Sequence, residues 1–496
     1  MRKAGIYSVV AAAGLAATAC SSDITVPNYN NPTTTGVSTD PSSLQLLANG
    51  VVYQLGLQAP GYIDDLGKFG RESFQYTPTE GRNVTSYVQV ARLDRAGFSG
   101  VSLWTGRYTN LRNLFNLRNA VDASNIPAAG KSAANGFAKT IEGLELYYVI
   151  ATRDTIGAPL EIRAELDFVA PFVSRDSVYS YISARLDEGA ADLTAAGTTA
   201  FPFTVNLLFT GTGPANPTNF LRFNRAIAAR VFAYRGSLGM NCGATSCYQQ
   251  ALTAANASFL NAAASSRAAL DAGVYNVFAT STGAVQNTLS QATSAGAVRY
   301  AHPSILRDTT GRDANGLLIY GAVNASRAAD LRAQSKTRTL ATPATAPAAI
   351  GPTSPATPYG FNLYPTASTP IPIIRNEELI LIRAEAYIGL GNFPAALADI
   401  NTVRTASGGV APLTTLGTRD QAIDALLYER RFSLLYEGHR IIDHRRFGRL
   451  SRLPVDKIAT AANNVQHYIQ SVIPVPQAEC LSRALDPTLQ PPDCRI

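Results

Sequence analysis

Residues 376–404 read NEELILIRAEAYIGLGNFPAALADINTVR, and their spacing decides the fold class. Glu377 and Glu378 fall in a first helical turn, where negative charge meets the positive end of the helix dipole. The apolar run continues to Leu390, Gly391-Asn392 turns the chain, and Pro394 sits in the first turn of a second helix ending near Arg404. Ala384, Tyr387, Gly391, Phe393 and Ala396 follow the small/large register of a tetratricopeptide helix pair. Small residues there let two helices approach while the aromatic fills the groove between them. A looser copy lies at Ala229–Ala255, with an insert at 239–247.

Outward from that pair, helical periodicity predicts helices over Ser42–Leu55, Trp104–Ala120, Gly136–Thr152, Ser174–Leu193, Asn219–Gly236 and Tyr248–Ala263. Asp40-Pro41 supplies the cap and first turn of the first of these. Trp104, the only tryptophan, opens its helix and reads as core. Asp420–Arg446 carries two apolar stripes and reads as one long helix or two abutting ones, buried on two sides. Residues 56–103, with many Gly, Tyr and Arg, read as long loops. Residues 264–371 lose regular periodicity, yet Tyr275, Phe278, Tyr300, Tyr320 and Tyr359 argue for ordered irregular loops over a disordered linker. The expected fold is mainly α: a tetratricopeptide-like helix-pair scaffold with long loop-rich insertions and few short strands.

The ends fix the compartment. Residues 1–20 read as a signal segment: Arg2-Lys3, an apolar stretch from Ala4 to Ala17, then small residues before Cys20. Leu15-Ala16-Ala17-Thr18-Ala19-Cys20 resembles a bacterial lipobox, departing from it at Ala17, so Cys20 is the expected lipidation site. Residues 21–41 then form a polar tether. Of five cysteines, four remain after Cys20, and two local disulfides, Cys242/Cys247 and Cys480/Cys494, are the simplest of three pairings. Neither pair has the flanking histidines of a zinc site. The chain of 496 residues is 46% hydrophobic and 16% charged, which excludes wholesale disorder and a polytopic membrane protein. Its net charge of +7 is spread among acids instead of clustered, which argues against a nucleic-acid partner.

Beyond these patterns, Ile373–Ala386 is similar to the signature helix of the SusD/RagB family of outer-membrane nutrient-binding lipoproteins. Glu429-Arg430-Arg431-Phe432, Glu437-Gly438-His439-Arg440, Asp443 and Arg445-Arg446 follow in order. Ile473–Glu479 resembles the family's closing proline-rich strand. Weaker likeness extends upstream through Glu142–Pro159 and Asp176–Leu193, so the resemblance covers most of residues 40–480. It implies a helical domain over 42–480, with a C-terminal signature region at 373–480 and a tail at 481–496. It also implies a loop-rich binding face, placed at 56–103 and 264–371. The function it implies is capture of an oligomeric nutrient, oligosaccharide first and peptide as the alternative. The ligand would pass to a SusC-like TonB-dependent transporter, with no catalysis and no cofactor.

Residues able to do chemistry are sparse. Glu437, His439, Asp443 and His444 sit close in sequence, but Arg440, Arg445 and Arg446 would oppose a cation. Glu429 and Glu437 instead read as one side of a buried charge network against Arg430, Arg431 and Arg440. His302 and His467 look isolated, as surface or packing residues. No Gly-x-Ser-x-Gly elbow or phosphate loop is present. For ligand contacts, Tyr62, Asp65, Arg71, Tyr76, Arg82, Asn83 and Tyr87 offer the aromatic faces and hydrogen-bonding groups that sugars or peptides need. A tetratricopeptide-type outer-membrane assembly adaptor and a secreted hydrolase are the competing functions.

Overall fold

The computed structural model describes residues 41–97, 103–165, 167–291, 298–461, 463–486 and 488–494. Cys20 and the tether through residue 40 lie outside them. The chain opens with α1 (Pro41–Phe69), β1 (Ser73–Gln75), α2 (Arg82–Val88), α3 (Thr105–Ala123) and α4 (Ala128–Arg153). Next come β2 (Ala158–Pro159), β3 (Phe172–Val173), α5 (Arg175–Ala196), β4 (Leu207–Thr210), α6 (Pro217–Ser237) and α7 (Cys247–Asn256). The middle contributes β5 (Gly273–Asn276), β6 (Arg299–Ala301), β7 (Arg307–Arg312), β8 (Leu318–Val323), β9 (Thr337–Ala344) and β10 (Thr357–Phe361). The last third holds β11 (Ile371–Arg375), α8 (Asn376–Gly389), α9 (Phe393–Ala406), α10 (Arg419–Ser433) and α11 (Arg440–Arg446).

The helices pack as successive neighbours: α1 on α3, α3 on α4, α4 on α5, α5 on α6 and α6 on α7. Helix α8 then lies against α6, α7, α9 and α10. This is the tetratricopeptide-like scaffold, and both proposed pairs, α8/α9 and α6/α7, are present in it. Caps define the starts: Ser174 and Asn216 accept the backbone N–H of Ser177 and Asn219, and Thr418 and Gln421 form a capping box on α10. Trp104 is buried in the main core. A second cluster, with Leu381, Ala384, Ala396, Ile400 and Leu426, seals α8 against α9 and α10.

Three sequence expectations are corrected. The first helix does not stop at Leu55 but runs to Phe69, through Gly56, Pro60, Gly61 and Gly67. Burial of Tyr62, Ile63, Leu66 and Phe69 overrides the weak helix propensity of these residues. Gly67 is required: a Cβ there would sit 2.5 Å from the Tyr436 ring. The middle segment is less irregular than expected, since β5 to β10 all lie within it. Its strands build an antiparallel sheet in the order β1-β6-β10-β9, contribute β5 to β11-β5-β4, and form the β7–β8 hairpin. Finally, Ile473–Pro476 is extended but not a sheet strand, tied instead by the Ile473 N–H to the Thr152 carbonyl at 2.9 Å.

Asp420–Arg446 resolves into two helices. Tyr436 (φ 56°) and Gly438 (φ 83°) break the helical path between α10 and α11. Disulfides join Cys242 to Cys247, closing the insert between α6 and α7, and Cys480 to Cys494, holding the tail. Among the described residues no helix is long and apolar enough to cross a membrane.

Candidate functional site

A cavity of about 680 Å³ is an open groove between the β7–β8 hairpin and the segment 345–358. The hairpin forms because Asp313 Oδ1 accepts the backbone N–H of Asn315 (2.8 Å) and Leu317 (2.9 Å), and Gly316 supplies a positive φ of 80°. Leu317, Leu318, Ile319 and Tyr320 form one wall. The facing wall carries Pro352, Pro355 and Pro358, and no charged residue occurs anywhere in 339–374. Arg307 and Asp313 are the charged groups on the lining. Arg307 donates from Nε to the Tyr359 hydroxyl (2.9 Å) and from Nη1 to the Gly321 carbonyl (3.0 Å).

A buried polar cluster fixes the groove from beneath. The Tyr320 hydroxyl donates to Asp456 Oδ1 at 2.8 Å, and Arg71 Nε lies 3.2 Å from Oδ2. His302 Nδ1 accepts the Ser304 N–H, so its proton sits on Nε2 and points at Asp456, 3.1 Å away. His467 approaches the same carboxylate at 3.9 Å. Asp456 keeps its charge despite complete burial, held well below the usual carboxylate range by these partners. Burial pulls both histidines down, so they stay neutral. The sequence showed none of this: residues 71, 302, 320, 456 and 467 share no motif, and the two histidines that looked isolated meet at one acid.

Of the seven ligand-contact candidates, six are buried. Tyr62 packs edge-on against Tyr148, Asp65 lies 3.1 Å from Lys68, and the Lys68 ammonium sits over the Tyr87 ring. Asn83 donates to Thr77 Oγ1, while Arg82 is exposed and pairs with Glu80. Arg71 and Tyr76 reach the groove from behind. Arg71 faces Asp456, and the Tyr76 hydroxyl donates to the Pro355 carbonyl (2.8 Å), pinning the proline-bearing wall.

The SusD family model matches residues 360–478. The SusD-like fold is shared along nearly the whole chain. A SusD superfamily protein from Bacteroides vulgatus superposes with TM-score 0.60 at 14% identity, covering 90% of this chain and 98% of that one. A second B. vulgatus protein, thought to be an outer membrane protein involved in nutrient binding, gives 0.58 at 15%, covering 89% and 94%. A laminarin-binding SusD-like protein gives 0.55 at 14%, covering 90% and 97%. Among curated protein sequences none matches the chain.

Within the matched segment the buried charges pair differently from the expected network. Glu429 is clamped by Arg332 (2.7 Å) and Arg404 (2.8 Å). Arg430 donates to Asp443 (2.7 Å) and to the Tyr234 hydroxyl (3.1 Å), and Asp443 also meets Arg446 (2.9 Å). Glu437 pairs with Arg375 (2.6 Å), and Arg440 donates to the Arg71 carbonyl (2.9 Å). Arg431 faces no carboxylate at bonding distance; it donates to the Ser304 carbonyl and hydroxyl. Burial and the neighbouring Arg440 and Arg327 push its pKa well down. His439 lies 4.0 Å from Glu378 and is pulled down to about 4 by burial. Consecutive helical residues point about 100° apart, so Glu429, Arg430 and Arg431 each meet a different neighbouring element.

Proposed function

We propose that this protein is a non-catalytic, lipid-anchored outer-membrane subunit that captures an oligomeric nutrient and passes it to a TonB-dependent transporter. The observation that carries this reading is the 680 Å³ groove, built by the strand-bearing middle of the chain on a SusD-like scaffold. Its lining places an aliphatic surface and a few polar groups where a chain-like ligand can lie, as binding sites generally do. The laminarin-binding neighbour and the lipobox ending at Cys20 support the same reading.

The decisive experiment is a mild-detergent pull-down of tagged full-length protein from its native outer membrane. Recovery of a TonB-dependent barrel in near-equal amount is the expected result. Recovery alone, or with assembly components, would favour the adaptor reading instead. In parallel, Cys20→Ser is expected to release the protein from the membrane fraction; retention in that fraction would overturn the lipid anchor.

A further inference from the structure

The groove's chemistry suits one class of oligomer better than another. Pyranose rings dock on exposed aromatic faces, and Tyr320 is the aromatic residue of the lining. Its hydroxyl is committed to Asp456, and its ring stands edge-on to His302 at 5.7 Å. The remaining surface is largely proline, leucine, isoleucine and alanine. Such walls accept small apolar side chains and offer little to a ring of hydroxyls.

Two further features are directional. Arg307 and Asp313 begin and follow β7, six residues apart, or roughly 20 Å along an extended strand. Neither makes an ion pair among the described residues, although both hold their local backbone by hydrogen bonds. The groove therefore carries an uncompensated cation at one end and an uncompensated carboxylate at the other. Strand β8 bonds to β7 on one side. On its other side the pairing ends at Leu318, whose N–H donates to the Asp456 carbonyl at 2.8 Å. Among the described residues no strand pairs with its outer edge from Ile319 onward, which leaves room for a further extended chain.

We infer that the groove binds a short extended peptide of small apolar residues with both termini free, its carboxylate at Arg307 and its ammonium at Asp313. An extended chain of about six residues spans the same roughly 20 Å. This assignment rests on the nutrient-capture reading and specifies its ligand as peptide, not glycan.

The test is calorimetric titration of the full chain with three probes. These are hexaalanine with free termini, the same peptide acetylated and amidated, and a neutral linear glucan hexasaccharide. The free peptide is expected to bind at least tenfold tighter than the capped one. Arg307→Gln and Asp313→Asn should each remove most of that preference. The effect of Asp313→Asn should vanish for a peptide acetylated at its amine alone. Asp313→Asn keeps the turn's acceptor oxygen and so keeps the hairpin, which unchanged circular dichroism and melting would verify. Equal affinity for free and capped peptides, or variants that leave the ratio untouched, would overturn the inference. Binding of the hexasaccharide alone sinks the peptide assignment and leaves nutrient capture standing. Failure of all three probes on folded protein overturns the peptide assignment, and nutrient capture then stands or falls on the pull-down.

Discussion

At the scale of single residues, Asp456 holds the groove's floor, because its charge answers a buried guanidinium. Arg71 and Asp456 are both fully buried, and removing one partner of such a pair costs about 3–5 kcal/mol by leaving the other charge uncompensated. Asp456→Asn is therefore expected to lower stability by about that amount in urea denaturation. Tyr320→Phe removes one hydroxyl donor from the same carboxylate and should cost less, about 1.5–3 kcal/mol. Equal losses for the two variants would show that Asp456 does not balance Arg71. Arg431 invites the opposite expectation. Facing carbonyl and hydroxyl oxygens with no close carboxylate, it leaves no buried acid stranded when removed. Arg431→Ala should thus cost clearly less than Asp456→Asn.

At the scale of elements, helix contacts depend on glycines that no propensity scale would favour. A Cβ at Gly389 in α8 would lie 2.2 Å from the Tyr248 ring of α7, so Gly389→Ala should destabilise by about 1–3 kcal/mol through overpacking. Gly50 in α1 has open space at the same position, and Gly50→Ala should stabilise by about 0.5–1 kcal/mol. Opposite signs for one substitution in two helices, read by thermal melting, test the packing directly. The helix pair at 376–404 was legible in sequence because its register and turn residues are local. Residues 56–69 were not, because Gly56, Pro60 and Gly67 speak for a loop while the helix is imposed by distant Tyr436 and its neighbours. The middle strands were missed for a related reason. Strand β6 pairs with β1 and β10, segments far away in the chain, and its short run shows little alternation of its own. Arg71 and Tyr76 were singled out from loop composition, yet they act from behind the groove, a placement that only the tertiary fold sets.

For the whole molecule, burial of every imidazole gives stability a definite pH dependence. The chain has four histidines, and burial pulls all of them down: His302 and His467 below the ordinary value, His439 and His444 to about 4. In the unfolded chain each binds a proton near pH 6.5. Below that pH the unfolded state takes up protons that the folded state refuses, so acid favours unfolding by up to about 1.4 kcal/mol per histidine per pH unit. Glu72 works the other way. Burial pushes its carboxyl up to about 7 against the pull of Arg440, so the folded state keeps a proton that the unfolded state loses between the ordinary carboxylate value and 7. Its contribution to stability therefore rises as pH falls through that window, offsetting about one histidine. Burial also pushes up Glu429 and Asp399, each ion-paired with an arginine, so four histidines stand against three carboxyls and predict a net loss. The urea midpoint should drop from pH 7 to pH 5, and Glu72→Gln should steepen the drop by removing the opposing group. His444→Gln, at a position where the ring meets the Arg440 carbonyl, should make it shallower. A midpoint unchanged between pH 7 and 5 in the unmodified protein would mean that water reaches these imidazoles in the folded state, and that the core enclosing Asp456 is looser than its geometry implies.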